Sequence, residues 1–416
     1  MEKIISKECV KCGKTFDFNK DIMTCDVCGI EGILDFNYDY DFTRDNYLKE
    51  VESSSRKDLF RFNVLLPVAD TSSYTRTIVG PSPVIKSQRL SDHIGIKPIM
   101  IKDDGRLPTS SYKDRASALA ISDAKHKGIN LICAASTGNA AASIAGLTAP
   151  EGIQSVIFVP GSAPAAKLAQ LGTYGAKVFT VDGSYDDAFT LSLQAAEMFN
   201  WYLRSTAVNP VLSEGKKTGA FELVHQLNYK NIPEVVFVSV GDGCIIGGLA
   251  KGFLDLYRSG IISTLPRVIG VQSEGSSVIH DAFHSGSENI VIKSPWTRAD
   301  SISVAFPRDY IKAIRNVKSC DGTYITVSDS EIFNASFLLG SKEGIFAEPA
   351  AATSLAGVIK ALEKGIISKS TDTAIFITGN GLKDVSGSSM SAPKPTQLPK
   401  SETSLKTLKN IFPLPG

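Results

Sequence analysis

The sequence predicts an α/β fold with two open, mostly parallel β-sheets that share a cleft, preceded by a small four-cysteine ribbon-like segment. Three observations predict it. From about residue 95 onward, short β-rich runs, "KPIMIK", "NLICAAS", "QSVIFVP", "AKVFTV", "EVVFVSV", "PRVIGVQ" and "TAIFITG", recur between helix-like segments. Near-continuous apolar strands separated by helices indicate parallel sheets covered on both faces. A chain of 416 residues with 43% apolar content has room for a sizeable core and two packed units. The first 30 residues concentrate four of the 7 cysteines in two CxxC pairs.

Taken in order, residues 1–35 hold "CVKCGKTFDFNKDIMTCDVCG", in which Cys9, Cys12, Cys25 and Cys28 form two pairs, each followed by a glycine. Four thiolates at this spacing suit a tetrahedral zinc of structural type, because no coordination position remains for water. A reduced ribbon held by packing alone is the alternative. This is not the disulfide pattern of a secreted protein. Residues 36–95 are aromatic and acidic ("DFNYDYDFTRDNY"), then basic, and read as a connector and surface helices. Residues 96–384 form the main α/β region, with a smaller mobile subdomain at roughly 118–205. Helices are expected after Ser111, where Asp114 stands three residues beyond a cap and Gly128 marks the stop, and from Pro349 to Gly365. Residues 385–416 are Ser/Pro/Lys-rich and read as a flexible or draped tail whose final "IFPLP" docks on the body.

The 44 basic residues are balanced by 43 acidic ones, so there is no electrostatic case for nucleic acid or an anionic membrane as a partner. No run of about 18 apolar residues is long enough for a bilayer, and no apolar leader opens the chain. The cytoplasm is the expected location.

Three strand-to-helix junctions are rich in glycine and small polar residues: "AASTGNAAAS" (134–143), "VSVGDGCIIGG" (238–248) and "FITGNGLKD" (376–384). Such loops converge at the carboxyl ends of strands in open α/β sheets, which predicts one shared cleft. In the second loop, Gly241, Gly243, Gly247 and Gly248 let backbone amides approach an anion ahead of a helix N-terminus. The pattern is neither a nucleotide P-loop nor a full GxGxxG, so a phosphate without a nucleotide fits better, with an ordinary tight turn as the alternative. Lys113, in "LPTSSYKDRASA", opens a helix where the dipole disfavours a cation. It is either a snorkelling surface lysine or a cleft residue. "STGN" admits a plain helix cap through Ser136 or Thr137. Together, a lysine, a phosphate cradle, an asparagine loop and a Thr-Gly loop match a cofactor bearing an aldehyde, a phenolate and a phosphate, which is pyridoxal phosphate.

The ordered motifs "DDGRLPTSSYKDRAS", "ASTGNAAAS", "VGDGCIIGGLAKGF", "GIFAEPAAATSLAG" and "TGNGLKD" are similar to those of the threonine synthases, a family of the tryptophan-synthase-β-like (fold type II) pyridoxal-phosphate enzymes. The four-cysteine start resembles members of that family with an N-terminal ribbon. The resemblance implies a carbon–oxygen lyase that converts O-phospho-L-homoserine and water to L-threonine and phosphate. It implies Lys113 as the Schiff-base lysine and general acid/base, and Asn139 on the ring phenolate. Gly241, Asp242, Gly243, Cys244 and Ile245 would surround the cofactor phosphate, with Thr378 at the pyridine nitrogen. Ser136, Thr137 and Gly138 would take the substrate carboxylate, and Ser110 and Arg204 would be further substrate contacts. A phosphorylated amino acid is the implied small-molecule partner, and a homodimer the implied assembly.

The chain departs from the family in two places. "YLRSTAVNPVLSEGKKTGAFE" carries Leu212 where many members have an arginine for the substrate phosphate. Arg204, Lys216 and Lys217 are either substitutes for it or solvated surface charges. "TSSYKDRAS" has Ser110, Tyr112 and Ala116 in place of the commoner Gly, Phe and Gly. Three competing functions share the cofactor residues or the scaffold: β-replacement on O-phosphoserine, as in cysteate synthase; threonine or serine dehydration; and ligand binding on a degenerate enzyme scaffold. His225 and His280 have no metal-ligand spacing and read as surface or satisfied groups. Cys244 is explained by its small size. Glu348, ahead of Pro349, reads as a helix-cap carboxylate, with cleft lining as the other reading.

Overall fold

The computed structural model describes residues 3–412 apart from 69, 70, 164, 288, 399, 401 and 402. In chain order the strands are β1 (Ile4–Cys9), β2 (Thr15–Phe16), β3 (Thr24–Cys25), β4 (Gly29–Tyr38), β5 (Val84–Lys86), β6 (Met100–Asp103), β7 (Leu131–Ala135), β8 (Gln154–Pro160), β9 (Lys177–Val181), β10 (Tyr202–Leu203), β11 (Val235–Ser239), β12 (Arg267–Ser273), β13 (Thr323–Val327) and β14 (Thr373–Ile377). The first four make an antiparallel ribbon in the order β2-β1-β4-β3. A parallel sheet runs β10-β7-β8-β9. A six-stranded sheet runs β13-β12-β11-β14-β6-β5, with only the edge strand β5 antiparallel.

Each apolar run read from the sequence is a parallel strand, and the central β11 and β14 are buried along their whole length. Runs buried on both faces leave no polar alternation to read. From β11 the chain passes outward to β12 on one side, while β14 lies on the other. The loops that leave β11 and β14 therefore part and open a crevice at the carboxyl edge of the sheet.

The lysine helix begins at Lys113 itself (Lys113–His126), and Tyr112 holds the cap position without a side-chain bond. Ser111 is thus not the cap. Asp114 instead accepts from the Thr109 N–H at 2.7 Å and from its hydroxyl, which folds the preceding turn onto the helix. Gly128 (φ 69) and Gly365 (φ 67) take the left-handed stop conformation.

Residues 36–95 are not a surface connector. Tyr38, Tyr47, Val51, Leu59, Phe60 and Phe62 are buried, and Phe62 meets Phe221 of the Val211–Gln226 helix at a ring distance of 5.8 Å. In the tail, Thr403–Ile411 is helical. Ile411 and Phe412 are exposed; the rest of "IFPLP" lies outside the described residues.

Candidate active site

A cavity of about 570 Å³ opens where the strand ends meet. It is lined by Lys113, Ser136–Asn139, Arg204, Thr206, Gly241–Ile245, Glu348 and Thr378. Ser110 is not in this lining. Its φ of 64 puts it at a left-handed turn, a conformation that suits the glycine common in the family, and nothing in the structure explains the serine.

Backbone bonds fix where Lys113 enters. The Tyr112 N–H donates to the Thr378 carbonyl at 2.9 Å, and the Asn380 N–H to the Ser110 carbonyl at 3.1 Å. The helix is then locked from behind. Tyr112 donates its hydroxyl to the Lys216 carbonyl at 2.6 Å, in a space that exists because residue 219 is glycine, where a Cβ would stand 2.2 Å from the phenol oxygen. Arg115, fully buried, forks onto Asp104 (2.6 and 3.1 Å) and Glu222 (2.9 and 3.1 Å). Burial alone would raise the Glu222 carboxyl, but Arg115 and Lys102 outweigh it and hold it at about 2. On this base Lys113 is half-buried, with its ammonium 3.8 Å from the Cys244 sulfur and no carboxylate partner among the described residues. The cleft reading of Lys113 is the one its position favours.

The glycine loop leads from β11 into the Cys244–Arg258 helix, whose N-cap, Gly243, has φ 89 and no side-chain cap bond. A Cβ at Gly241 would lie 2.9 Å from the Ile302 Cα, and one at Gly243 3.0 Å from the Ala313 Cβ. Neither glycine position has room for a side chain, and the loop leaves amides of the helix N-terminus as anion donors. Asp242 accepts from the Arg308 N–H at 2.7 Å, and burial raises its pKa.

Gly138, not Ser136 or Thr137, is the N-cap of the Asn139–Thr148 helix, and no side chain caps it. The two hydroxyls therefore remain on the cavity wall. The Asn139 amide donates to the Glu348 carboxylate at 3.1 and 3.2 Å, and Ser301 donates to it at 3.3 Å. Glu348 occupies the N-cap position of the Pro349–Glu363 helix without capping it, so it lines the cleft. Burial pushes its carboxyl up to about 7.

Arg204, Lys216 and Lys217 are all buried, which overturns the surface-charge reading. Lys217 belongs to the fold: it pairs with Glu214 (2.6 Å) and Asp255 (2.7 Å) and lies 4.0 Å from the Tyr38 ring centre. Among the described residues neither Arg204 nor Lys216 has a carboxylate at ion-pair distance; Arg204 bonds Ser117 and Lys216 bonds Thr206. Burial lowers the Arg204 guanidinium to about 10 and lowers Lys216 as well. The sequence offers Lys216 as one of three substitutes for the missing arginine, and its position one turn after Leu212 puts both on one helix face. His225 contacts the Tyr229 hydroxyl (2.9 Å) and His280 contacts Asp281 (3.0 Å), so both are locally satisfied.

In the ribbon, the sulfurs of Cys9, Cys12, Cys25 and Cys28 lie within 4.8 Å of one another. The Lys11 and Val27 amides each donate to a sulfur at 3.4 Å. Gly32 permits this closeness, since a Cβ there would stand 2.6 Å from the Cys25 Cβ. This is a donor set a tetrahedral metal fits. No helix among the described residues is long and apolar enough to cross a membrane.

Comparison with known proteins agrees with the geometry. A family model described as "Pyridoxal-phosphate dependent enzyme" matches residues 75–379. A threonine synthase of Methanocaldococcus jannaschii is 37% identical over 98% of this chain and 99% of its own length. One of Methanosarcina acetivorans is 35% identical over 91% and 92%. Among solved structures, the processed form of threonine deaminase isoform 2 from Solanum lycopersicum superposes with a TM-score of 0.65 at 20% identity, covering 89% of each chain. Maize serine racemase reaches 0.64 at 21% identity, covering 73% of this chain and 89% of its own.

Proposed function

The chain belongs to the pyridoxal-phosphate-dependent enzymes and, within them, to the threonine synthases, and from that premise we propose that it converts O-phospho-L-homoserine and water to L-threonine and phosphate in the cytoplasm. The observation that carries the reading is a single cavity in which Lys113, a glycine-loop anion cradle and the buried Arg204 guanidinium meet.

The residues present fit the cofactor. Lys113 would hold its aldehyde, Asn139 its phenolate and Thr378 its ring nitrogen. The loop Gly241–Ile245, with the Asp242 carboxylate engaged by the Arg308 N–H and Cys244 opening the helix, would cradle its phosphate through backbone amides. Pyridoxal phosphate, when bound, supplies the electron sink that makes hydrogens on substrate carbons acidic. A hydroxyl at Thr378, unlike a carboxylate, leaves the ring nitrogen without an obligatory proton and so tempers that sink.

Lys113, once released by substrate, is the only lysine on the cavity wall among the described residues. It would take the protons from Cα and Cβ as phosphate leaves Cγ, return one to Cγ to make the methyl group, take one from the water that adds at Cβ and return one to Cα, the remaining proton leaving with phosphate. Ser136, Thr137 and the Gly138 amide would receive the substrate carboxylate, and Arg204 the substrate phosphate. Cys9, Cys12, Cys25 and Cys28 would hold a structural zinc remote from this chemistry. The remaining thiols, Cys133, Cys244 and Cys320, are buried without disulfide partners, as suits a reducing compartment.

The test is phosphate and threonine release from O-phospho-L-homoserine, with O-phospho-L-serine as competitor, for the protein and its Lys113→Ala variant. The expected result is turnover of the homoserine ester alone, with an absorbance band at about 410–420 nm that the variant loses along with activity. Turnover of only the serine ester would overturn the substrate; absence of the band after added cofactor would overturn the enzyme.

A further inference from the structure

The ribbon cysteines lie outside the cavity lining, yet the ribbon is not a separate appendage. The Tyr310–Ser319 helix touches the ribbon with one face and the glycine loop with the adjoining one. Its Lys312 is 1% exposed and donates to the Leu34 carbonyl and the Asp35 carboxylate of β4, both at 3.3 Å. One turn on, the Arg315 guanidinium donates to the carbonyl of Val10, which stands inside the first CxxC pair, between Cys9 and Cys12. Lys312 and Arg315 are three residues apart and so share a face.

The adjoining face belongs to the cradle. The Asn316 amide donates to the Gly247 carbonyl at 3.0 Å, and a Cβ at Gly243 would stand 3.0 Å from the Ala313 Cβ. Just ahead of the helix, the Asp309 N–H donates to the Asp242 carbonyl at 3.2 Å. Contacts this close pass on small displacements, because a packed interior has no slack to absorb them.

The direction of the Val10 carbonyl depends on a knuckle whose two ends are cysteines of the metal donor set. A metal shared by four thiolates holds such a knuckle, and its loss frees it. A freed knuckle withdraws the acceptor from Arg315 and loosens β4 beneath Lys312. A buried ammonium that loses its acceptors is strongly disfavoured, so the helix has to shift, and Ala313 moves against Gly243. We propose that the metal ribbon positions the cofactor-phosphate cradle, with Arg315 and Lys312 of the Tyr310–Ser319 helix as the positioning residues that transmit it. The proposal rests on the pyridoxal-phosphate reading of the glycine loop and deepens it.

The test titrates pyridoxal phosphate, and separately pyridoxal, which has the aldehyde but no phosphate, into cofactor-free protein with zinc in place and after stripping by a chelator. Stripping should raise the Kd of pyridoxal phosphate about tenfold, the scale of a lost charge-assisted hydrogen bond, and leave that of pyridoxal within about twofold. At saturating cofactor the absorbance band should be the same with and without metal. Arg315→Met with zinc in place should match the stripped protein, and stripping the variant should add little, since the two act as a unit. Arg315→Lys should recover part of the affinity. A ribbon that only stabilises the fold would weaken both ligands alike or neither. Should the stripped protein unfold, Arg315→Met and Asn316→Ala with zinc bound carry the test, judged by the same split between the two ligands. Equal pyridoxal phosphate affinity with and without zinc, a parallel loss for pyridoxal, or a chain that takes up no zinc would overturn the proposal and leave the functional reading standing. Zinc-loaded protein that binds neither ligand would overturn the functional reading, and the proposal with it.

Discussion

Glu348 presents a conflict that a single substitution resolves. It sits ahead of the Pro349–Glu363 helix, where the dipole favours an ionised carboxylate, yet it is 2% exposed and turned to Asn139 and Ser301 rather than to the helix amides. Burial prevails, and its carboxyl is raised from 4.5 to about 7. The folded protein thus keeps a proton that the unfolded chain releases, so stability is lost as pH rises from about 4.5, and the loss is complete above about 7. At about 1.4 kcal/mol for each pKa unit, ionising Glu348 in the fold costs about 3 kcal/mol at pH 8 and about 1 kcal/mol at pH 5. Glu348→Gln keeps an acceptor for Asn139 and removes the titration. By calorimetry on cofactor-free protein, the variant should melt roughly 3 °C above the parent at pH 8, given about 2 cal/mol/K of unfolding entropy per residue, and only about 1 °C above it at pH 5. A melting difference that is the same at both pH values, or a variant less stable at pH 8, would refute the reasoning and show that the helix dipole dominates.

Gly243→Ala should lower cofactor affinity at least tenfold in a fluorescence titration, because the φ of 89 is strained for alanine and its Cβ would meet Ala313 at 3.0 Å. Ser110→Gly should stabilise the protein by about 1 kcal/mol in denaturant melts by relieving a left-handed serine. Arg115→Met leaves Asp104 buried without its counter-charge and Glu222 with Lys102 alone and should cost about 3–5 kcal/mol, read as loss of soluble folded protein or a large drop in melting temperature. Metal analysis should find about one zinc per chain, falling sharply in Cys9→Ser and Cys25→Ser while Lys113-dependent absorbance persists.

The parallel strands are legible from residue order alone, because runs such as "VVFVS" and "TAIFI" are apolar on both faces and can only be central. Residue order also determined the ribbon and the cofactor loops, whose chemistry is local: a CxxC pair, a glycine turn before a helix, a lysine opening one. It misjudged what depends on distant partners. The aromatic stretch after residue 36 looked solvent-facing, and its burial is decided by a helix more than 100 residues later. Glu348 stood where a cap belongs, but Asn139, 209 residues away, draws it into the cleft. Adjacent lysines 216 and 217 are indistinguishable in sequence. Packing separates them: Asp255, 38 residues further on, joins Glu214 in neutralising Lys217, whereas the Lys216 ammonium bonds only the Thr206 hydroxyl among the described residues.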